Sequence, residues 1–294
     1  MNIPKYLKVL LSAILIVLLV KTFAITSCSI PSTGMENTLY QGEKVLVNKW
    51  SYGLRIPFTT SHFLPQKAKK GDVVLFNNPT DKKTSILTRR PFISRCVGVP
   101  GDTLMLNSEL LVTGQNPLSP DSKLLYAYPY QKEDTLLFTL QQLGIEENLL
   151  VGYSEGCYMR TFSHYEYYLI KQRLGNTIDI HPVHNNNTTD SHPLVIPSKG
   201  KTIHIYPWNV TLLCNTILQH EGRLASIKND TLLIDGKPVN SYTFQKDYYW
   251  MASNNPVNLS DSRLFGLVPH NYLIGRASYI WYSQSKERIF QPVQ

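Results

Sequence analysis

Two apolar stretches, "GDVVLFNNP" (residues 71–79) and "FISRCVGVPGD" (residues 92–102), decide the fold of this chain. Each is a short run rich in Val, Ile and Phe that is bounded by residues typical of turns. Such a run predicts a β-strand between two turns, and Pro100-Gly101 is the turn signal that ends the second one.

The same pattern of short strands and turns extends outward along the chain. "KVLVNKW" (residues 44–50) alternates between apolar and polar residues, as a half-buried strand does. "DTLMLNSELLV" (residues 102–112) and "DTLLIDGKPVN" (residues 230–240) each read as two strands around a tight turn, and Asp235-Gly236 is a hairpin signal. We therefore predict a mostly β protein with an antiparallel core.

The region between these segments has a different composition. Prolines, tyrosines and polar turn residues dominate residues 114–222, and one short helix is expected in "DTLLFTLQQLGIEENLLVGYSEG" (residues 134–156). We predict a β core built from residues 27–107 and 223–294. Residues 108–222 are expected to form an inserted β-rich lobe.

The histidines of "HPVHNNNTTDSHP" (residues 181–193) do not predict a metal site. His181, His184 and His192 lie in a stretch that is a loop by composition, with Asp190 as the only carboxylate beside them. We expect a solvated loop, no metal and no cofactor.

The N-terminus predicts a membrane anchor over residues 1–26. Lys5 and Lys8 precede a dense apolar run of 12 residues, 9–20, and Lys21 follows it. Because a bilayer span needs about 20 residues, the anchor works only if Lys8 and Lys21 extend to the two interfaces. The alternative is a cleaved lipoprotein signal, in which "ITSC" places Cys28 at the lipidated position.

Charge gives the orientation and the class of partner. Lys5 and Lys8 favour an N-terminus inside the cell, so the globular part would lie outside the cytoplasm. The net charge of +8 is spread along the chain without a nucleic-acid-binding motif. An anionic lipid surface is therefore the expected partner of this charge, and nucleic acid is not.

The four cysteines leave two alternatives open. None of Cys28, Cys96, Cys157 and Cys214 lies in a CxxC pair, which argues against a zinc site. Either Cys157 and Cys214 form one disulfide, or all four are buried free thiols.

Four segments follow the predicted N-terminal anchor in order, and we call them boxes: "SIPSTGMENTLYQGEKVLVNKWSYG" (residues 29–53), residues 71–79, residues 92–102 and "LSDSRLFGLVPHNYLIGRASYIW" (residues 259–281). The anchor and the boxes together resemble the type I signal peptidases, and the residues of the boxes are most similar to bacterial members of the Bacteroides type. The resemblance implies a β core at the membrane surface with a second β region inserted before the last box.

The family chemistry implied by this resemblance is a serine–lysine dyad. The serine hydroxyl attacks the peptide carbonyl, and a buried neutral lysine accepts its proton. A second serine hydroxyl holds the oxyanion. In the first box that second serine corresponds to Ser32, but the nucleophile falls on Gly34. In the "FISRCVGVPGD" box the lysine falls on Ser94.

Several other positions of the family pattern are retained, and one is replaced. Arg95 is retained beside Ser94, and Asp261 and Arg263 are retained in the last box, where we expect structural charge pairing. Ala252 replaces a family glycine that lies close to the lysine. The positions that would line the substrate cleft are Ile30, Pro31, Met35, Leu39, Phe92 and Ile93.

Ser32 is the best substitute nucleophile in the sequence. If the segment were a strand, Ser32 and Gly34 would share a face, and Asp261 and Arg263 would do so likewise. Ser32 still lacks a base, because arginines stay protonated and a serine at position 94 does not titrate near neutrality.

The sequence thus predicts a signal peptidase I homologue that has lost its dyad. We expect it in the bacterial inner membrane with one span and a periplasmic globular part. It would bind secreted preproteins or signal peptides, and an active signal peptidase is a further candidate partner. The alternatives are an active serine endopeptidase that uses Ser32, and a structural envelope protein.

Overall fold

The computed structural model of the chain describes residues 5–56, 59, 61–81, 84–85, 88–107, 112, 122–183, 191–257 and 260–293. His184 and Asp190 of the histidine-rich loop lie outside the described residues. So do residues 108–111 of the second strand expected in "DTLMLNSELLV".

Short strands make up most of the described chain. In order they are β1 (Ile25–Ser29), β2 (Lys44–Asn48), β3 (Leu54–Arg55), β4 (His62–Phe63), β5 (Val73–Asn77), β6 (Pro91–Gly98), β7 (Thr103–Leu106), β8 (Lys123–Pro129), β9 (Leu150–Ser154), β10 (Cys157–Ser163), β11 (His181–Pro182), β12 (His192–Val195), β13 (Thr202–His204), β14 (Ala225–Lys228), β15 (Thr231–Ile234), β16 (Lys237–Val239), β17 (Ser241–Thr243), β18 (Tyr248–Ala252), β19 (Val268–Pro269) and β20 (Leu273–Tyr282). The α-helices are α1 (Lys5–Leu19), α2 (Glu133–Leu143), α3 (His164–Leu174), α4 (Val210–Thr216) and α5 (Ser262–Phe265).

The central sheet has seven strands in the order β1-β2-β20-β5-β6-β18-β19. Its strands come from the two ends of the chain, 25–98 and 248–282. Every strand pair that the structure describes is antiparallel, which confirms the mostly β prediction.

Both faces of this sheet are covered. Along β5, Val73 and Leu75 pack into one apolar cluster with Ile93, whereas Val74 and Phe76 pack into another on the opposite face. Successive side chains of a strand point to opposite faces, so the uninterrupted apolar run of β5 fits a strand buried on both sides.

The region between the sheet's two halves is a mixture of strands and helices. β8, β9, β10 and β11 form a four-stranded sheet with its own apolar cluster, against which α2 and α3 pack. The predicted short helix is confirmed as α2. The description of this lobe as β-rich is incomplete, because α3 and α4 were not expected.

Strand pairing also crosses the predicted lobe boundaries. β12 lies in the predicted insertion and pairs with β7 of the predicted core, and β13 pairs with β17 in the same way. The limits 1–26, 27–107, 108–222 and 223–294 stay a prediction.

Two N-terminal features complete the fold. α1 continues into a π-helical turn, Val20–Ala24, and β1 begins directly after it. Within the described chain, none of the helices combines the length and apolarity that crossing a bilayer requires, and α1 has 15 residues.

All four cysteines are free thiols. The alternative with a Cys157–Cys214 disulfide is therefore wrong, because Cys214 packs in the apolar cluster that includes α4, whereas Cys157 begins β10 of the four-stranded sheet. Cys96 and Cys214 are buried, and Cys28 and Cys157 are only half-buried, so the expectation of four buried thiols is met by two.

Candidate functional site

A cleft of about 130 Å³ lies where the end of β1, the turn after it and the start of β6 meet. Both first-box positions expected from the resemblance line it: Ser32, expected to correspond to the oxyanion serine, and Gly34, expected to correspond to the nucleophile. The side chains and backbone that line it belong to Cys28, Ser29, Ile30, Pro31, Ser32, Gly34, Met35, Arg90, Pro91, Phe92, Ile93, Ser253 and Ser260.

Gly34 lies in a 3-10 turn, Thr33–Met35, and not in a strand. The turn closes through Glu36 N–H donating to Thr33 O at 3.1 Å, and Leu39 N–H donates to Met35 O at 2.7 Å. The expectation that Ser32 and Gly34 share a strand face is therefore wrong. Ser32 is the extended residue that precedes the turn, half-buried at the cleft, and its side chain makes no capping hydrogen bond.

Ser94 is fully buried in β6, at 0% exposure. Its hydroxyl donates to the backbone carbonyl of Ser260 at 2.7 Å. A serine hydroxyl does not titrate near neutrality, and this one is already engaged, so Ser94 cannot take the proton that the family lysine takes.

Two neighbours of Ser94 show how β6 is held. Ala252 in β18 is opposite Arg95 in the antiparallel register, one residue along from Ser94. The Arg95 guanidinium donates to Thr38 Oγ1 at 2.7 Å and to Gly71 O at 3.0 Å. Arg95 therefore connects the segment after the Gly34 turn to the turn before β5.

Asp261 and Arg263 are paired, as the sequence predicts, but not across a strand face. Asp261 is the N-cap of α5 and accepts the Arg263 backbone N–H at 3.0 Å. The Arg263 guanidinium lies 2.5 Å from Asp261 Oδ2, and Ser253 N–H donates to the same oxygen at 2.6 Å. The pair fixes the segment that carries Ser253 and Ser260 into the cleft.

The residues proposed from the sequence for substrate binding are distributed unevenly. Ile30, Pro31, Met35, Phe92 and Ile93 line the cleft, whereas Leu39 does not. Leu39 is 0% exposed and packs inside the apolar cluster behind the cleft. The binding role of all six stays a prediction.

The electrostatics of the cleft do not favour proton abstraction. Of the described residues that line it, only Cys28 and Arg90 have ionisable side chains. Burial raises the pKa of the Cys28 thiol, which disfavours its nucleophilic thiolate form. The arrangement can hold an apolar peptide segment beside Ser32, and it places no base next to that hydroxyl.

A buried ion pair near the turn was missed from the sequence. Lys123 Nζ, with a side chain at 0% exposure, lies 3.2 Å from Glu36 Oε2. It also donates to the carbonyl of Glu147. Both contacts hold the ammonium as a structural cation. The sequence shows only a lysine at the start of an apolar strand. That pattern does not identify Glu36, 87 positions away, as its partner.

Two asparagines extend this network to the glycine. Asn255 donates from its side chain to Glu36 Oε2 at 3.0 Å and from its backbone to Gly34 O at 3.1 Å. Asn254 Nδ2 donates to Glu36 O at 2.9 Å and to Thr38 Oγ1 at 2.8 Å, while the Asn254 carbonyl accepts from Lys123 N–H. The Gly34 turn is thus held by the segment that follows β18 and, through Glu36, by Lys123 of β8.

Known proteins share this sequence pattern over most of the chain. The family model described as signal peptidase, peptidase S26, matches residues 3–160. A protein named Signal peptidase I from Buchnera aphidicola subsp. Schizaphis graminum is 28% identical over 273 residues, covering 92% of this chain and 72% of that protein.

Two further relatives carry the same name. The Helicobacter pylori (strain ATCC 700392 / 26695) protein is 25% identical over 286 residues, covering 92% of this chain and 80% of its own. The Pseudomonas fluorescens protein is 34% identical over 147 residues, covering 49% and 48%. With the family model matched over more than half of its length and an antiparallel β core around the matching boxes, this chain belongs to the signal peptidase family, peptidase S26.

Proposed function

We propose that this chain is a signal peptidase I homologue, of the Bacteroides-like type, that binds secreted chains without cleaving them. The observation that carries the proposal is a formed cleft without the two reacting groups of the family dyad. Gly34 offers no nucleophile, the Ser94 hydroxyl is bound to Ser260 O, and the cleft beside them is nevertheless formed.

The loss of cleavage follows from the chemistry that remains. An acyl-transfer step needs a nucleophile and a base within hydrogen-bond reach of each other. Ser32 is one of four serines that line the cleft, with Ser29, Ser253 and Ser260, and the described residues of the lining include no lysine or histidine. Lys123 is the fully buried lysine among the described residues, and its ammonium is held by Glu36 and the carbonyl of Glu147.

Peptide binding does not need those groups. β1 lies at an edge of the central sheet, and its residues Cys28 and Ser29 line the cleft. An edge strand can pair with an extended peptide through backbone hydrogen bonds, and an apolar pocket beside it selects side chains. A secreted preprotein or signal peptide fits this site.

The anchor forms part of the same proposal. Leu10, Ile14 and Val17 of α1 are exposed, and they belong to an apolar surface that runs around the helix. A helix that is apolar all round is stable in a membrane or a core. Together α1 and the π-helical turn run from residue 5 to 24, which at about 1.5 Å per residue approaches the ~30 Å of a hydrocarbon core. Because Lys5 and Lys8 before the apolar run favour an N-terminus inside the cell, we infer a periplasmic globular part.

The test uses the purified full-length protein and a preprotein, beside an active signal peptidase. We expect no cleavage product from this chain and measurable binding of the uncleaved preprotein. Ser32→Trp should fill the cleft and weaken binding, whereas Ser226→Trp, on the exposed β14, should leave binding unchanged.

The outcomes separate the alternatives. Turnover that is lost in Ser32→Ala would replace this proposal with an active serine endopeptidase. If the protein shows no turnover and binds no preprotein, the result would favour a structural envelope protein. Co-purification with an active signal peptidase, in place of preprotein binding, would identify that enzyme as the partner.

A further inference from the structure

The polar groups of the cleft at Gly34 suit a ligand of one sign of charge. Among the described residues that line it, Arg90 carries a permanent positive charge, and none is an aspartate or a glutamate. The hydroxyls of the lining belong to Ser29, Ser32, Ser253 and Ser260. A serine hydroxyl can donate to an anion, and a guanidinium attracts one. The lining therefore favours a ligand that carries a negative charge.

Arg90 differs from the arginines around it in the use of its charge. Arg89, its neighbour in the chain, donates to Tyr272 Oη at 3.1 Å, and Arg263 is paired with Asp261. The Arg90 side chain, exposed just before β6, forms no ion pair or hydrogen bond with any residue that the structure describes. Its guanidinium is therefore available to a ligand in the cleft.

Two of the serine hydroxyls are available as well. Ser32 and Ser260 are half-buried, and within the described chain neither Oγ has a hydrogen-bond partner. The Ser253 hydroxyl, in contrast, accepts the Ser260 backbone N–H at 3.4 Å. A donor that is partly shielded from water gains more from an acceptor on a ligand than a fully exposed donor does.

The rest of the wall is apolar, with Ile30, Phe92 and Ile93 among its residues. This wall can pack against a small apolar side chain while the polar groups bind a carboxylate on the same residue. The last residue of a peptide has that combination, because its backbone ends in a carboxylate. An uncut chain would continue past the cleft as neutral peptide groups and would leave Arg90 without a counter-charge.

We propose that the cleft at Gly34 captures the free C-terminal carboxylate of a peptide that has already been cut. This proposal rests on the proposed function and specifies the ligand of the same cleft. Of the two products of a cut preprotein, the released signal peptide is the one that carries a new C-terminus. Arginine can bind a carboxylate through two parallel N–H···O bonds, and capture of a C-terminal carboxylate is a recurring mode of peptide recognition.

The test measures the binding of three synthetic peptides to the full-length protein in nanodiscs of zwitterionic lipid. They share one short sequence of alanine and valine. The first ends in a free carboxylate and the second in an amide, while the third ends in an amide and has an aspartate in place of one internal alanine. We expect the acid-ended peptide to bind roughly three- to ten-fold more tightly than the other two, and salt should reduce the difference.

Variants of Arg90 locate the preference. Arg90→Gln should lower the affinity of the acid-ended peptide to that of the amide. Arg90→Lys keeps the charge without the paired N–H donors, so it should retain part of the preference. The control is Lys228→Gln, which removes one exposed positive charge on β14, outside the central sheet, and should keep the full preference.

Four results would overturn the inference. Equal binding of the acid-ended and amide peptides would end it and leave the proposed function intact. A preference for the acid-ended peptide that survives Arg90→Gln would exclude Arg90 as its source. Tightest binding of the aspartate peptide would mean that the cleft binds an acidic side chain and not a chain end. Binding of none of the three peptides would defeat the proposed function as well.

Discussion

Gly34 and Ser94 differ in how readily each position could accept the residue that the family dyad has there. The φ angle of Gly34 is not in the left-handed region that requires glycine, so its backbone accepts a serine. Ser94 is enclosed, with its hydroxyl bonded to Ser260 O and Ala252 on the adjacent strand. The base is therefore the harder of the two groups to restore, because a lysine needs volume that the core has filled.

We predict that Gly34→Ser alone restores no cleavage of a preprotein. Nucleophile and base act as one unit, so replacing one of them recovers little of a loss on the order of 10⁶-fold. Gly34→Ser with Ser94→Lys should give product above the background of the natural protein, and Ala252→Gly should increase it by making room. Gel or mass-spectrometric detection of the mature product measures this, with Ser32→Ala in the double variant as the oxyanion control. Cleavage by Gly34→Ser alone would show that another base operates.

The Lys123–Glu36 pair predicts a stability effect. Lys123→Ala leaves the Glu36 carboxylate buried without its cation, which typically costs about 3–5 kcal/mol. We expect the melting temperature of the purified protein to fall by several degrees, and by less in Lys123→Met with Glu36→Gln. Lys228→Ala, on an exposed strand, is the matched control. Equal melting temperatures for Lys123→Ala and Lys228→Ala would contradict the assigned structural role.

Among the elements, the β3–β4 hairpin depends on one histidine. His62 Nε2 is 3.2 Å from Leu273 O, so the neutral ring donates there and leaves Nδ1 without a proton. Nδ1 is buried without a partner among the described residues, and the His270 ring lies 5.2 Å away. Burial, with the charges of His270 and Arg55, lowers the pKa of His62 to about 4.

This lowered pKa predicts that the hairpin loosens in mild acid. The folded state binds the proton less well than the unfolded state, so the stabilisation is present above pH 6.5 and is lost as the pH falls towards 4. Amide hydrogen exchange in the two strands of the hairpin, residues 54–55 and 62–63, should accelerate by about ten-fold across that window, relative to its intrinsic pH dependence. His62→Gln, which keeps a donor but does not titrate, should abolish the effect, and His164→Gln on the exposed start of α3 should not. An unchanged pH response in His62→Gln would remove His62 as its source.

The elements also show which parts of the fold local sequence can predict. β5 and β6 are predictable because each is a short apolar run between turn residues, and the β15–β16 hairpin follows from Asp235-Gly236. α3 was missed because its tyrosines favour strands, although Ser163 and Glu166 form the capping box that marks a helix start. That signal was present in the sequence.

At the candidate site, local patterns fail where distant segments decide the conformation. The Gly34 turn is held by Asn255, and Asp261 caps a helix instead of continuing a strand. The contact of Lys123 with Glu36 joins segments that no periodicity links. Family resemblance drew attention to these positions, and only the folded chain shows what each of them touches.

For the whole molecule, the testable property is the orientation that the proposed membrane anchor would give it. Lys5 and Lys8 flank the apolar run on its N-terminal side, so we expect them in the cytoplasm and Ser32 outside. Two reporters fused after residue 60 test this. A reporter that works only outside the cytoplasm should be active, and a reporter that works only in the cytoplasm should be inactive. The reverse pattern would contradict this topology, and globomycin-sensitive lipidation of Cys28 would favour the lipoprotein alternative.

The place of β20 in the central sheet has a consequence for biogenesis. β20 is the last strand in chain order, yet it lies third in the sheet, between β2 and β5. While the polypeptide is still being synthesised, β2 and β5 have no shared neighbour, and each presents an open edge. The sheet closes only when residues 273–282 have been synthesised, so a stalled or truncated product would be a substrate for quality-control proteases instead of a smaller folded protein.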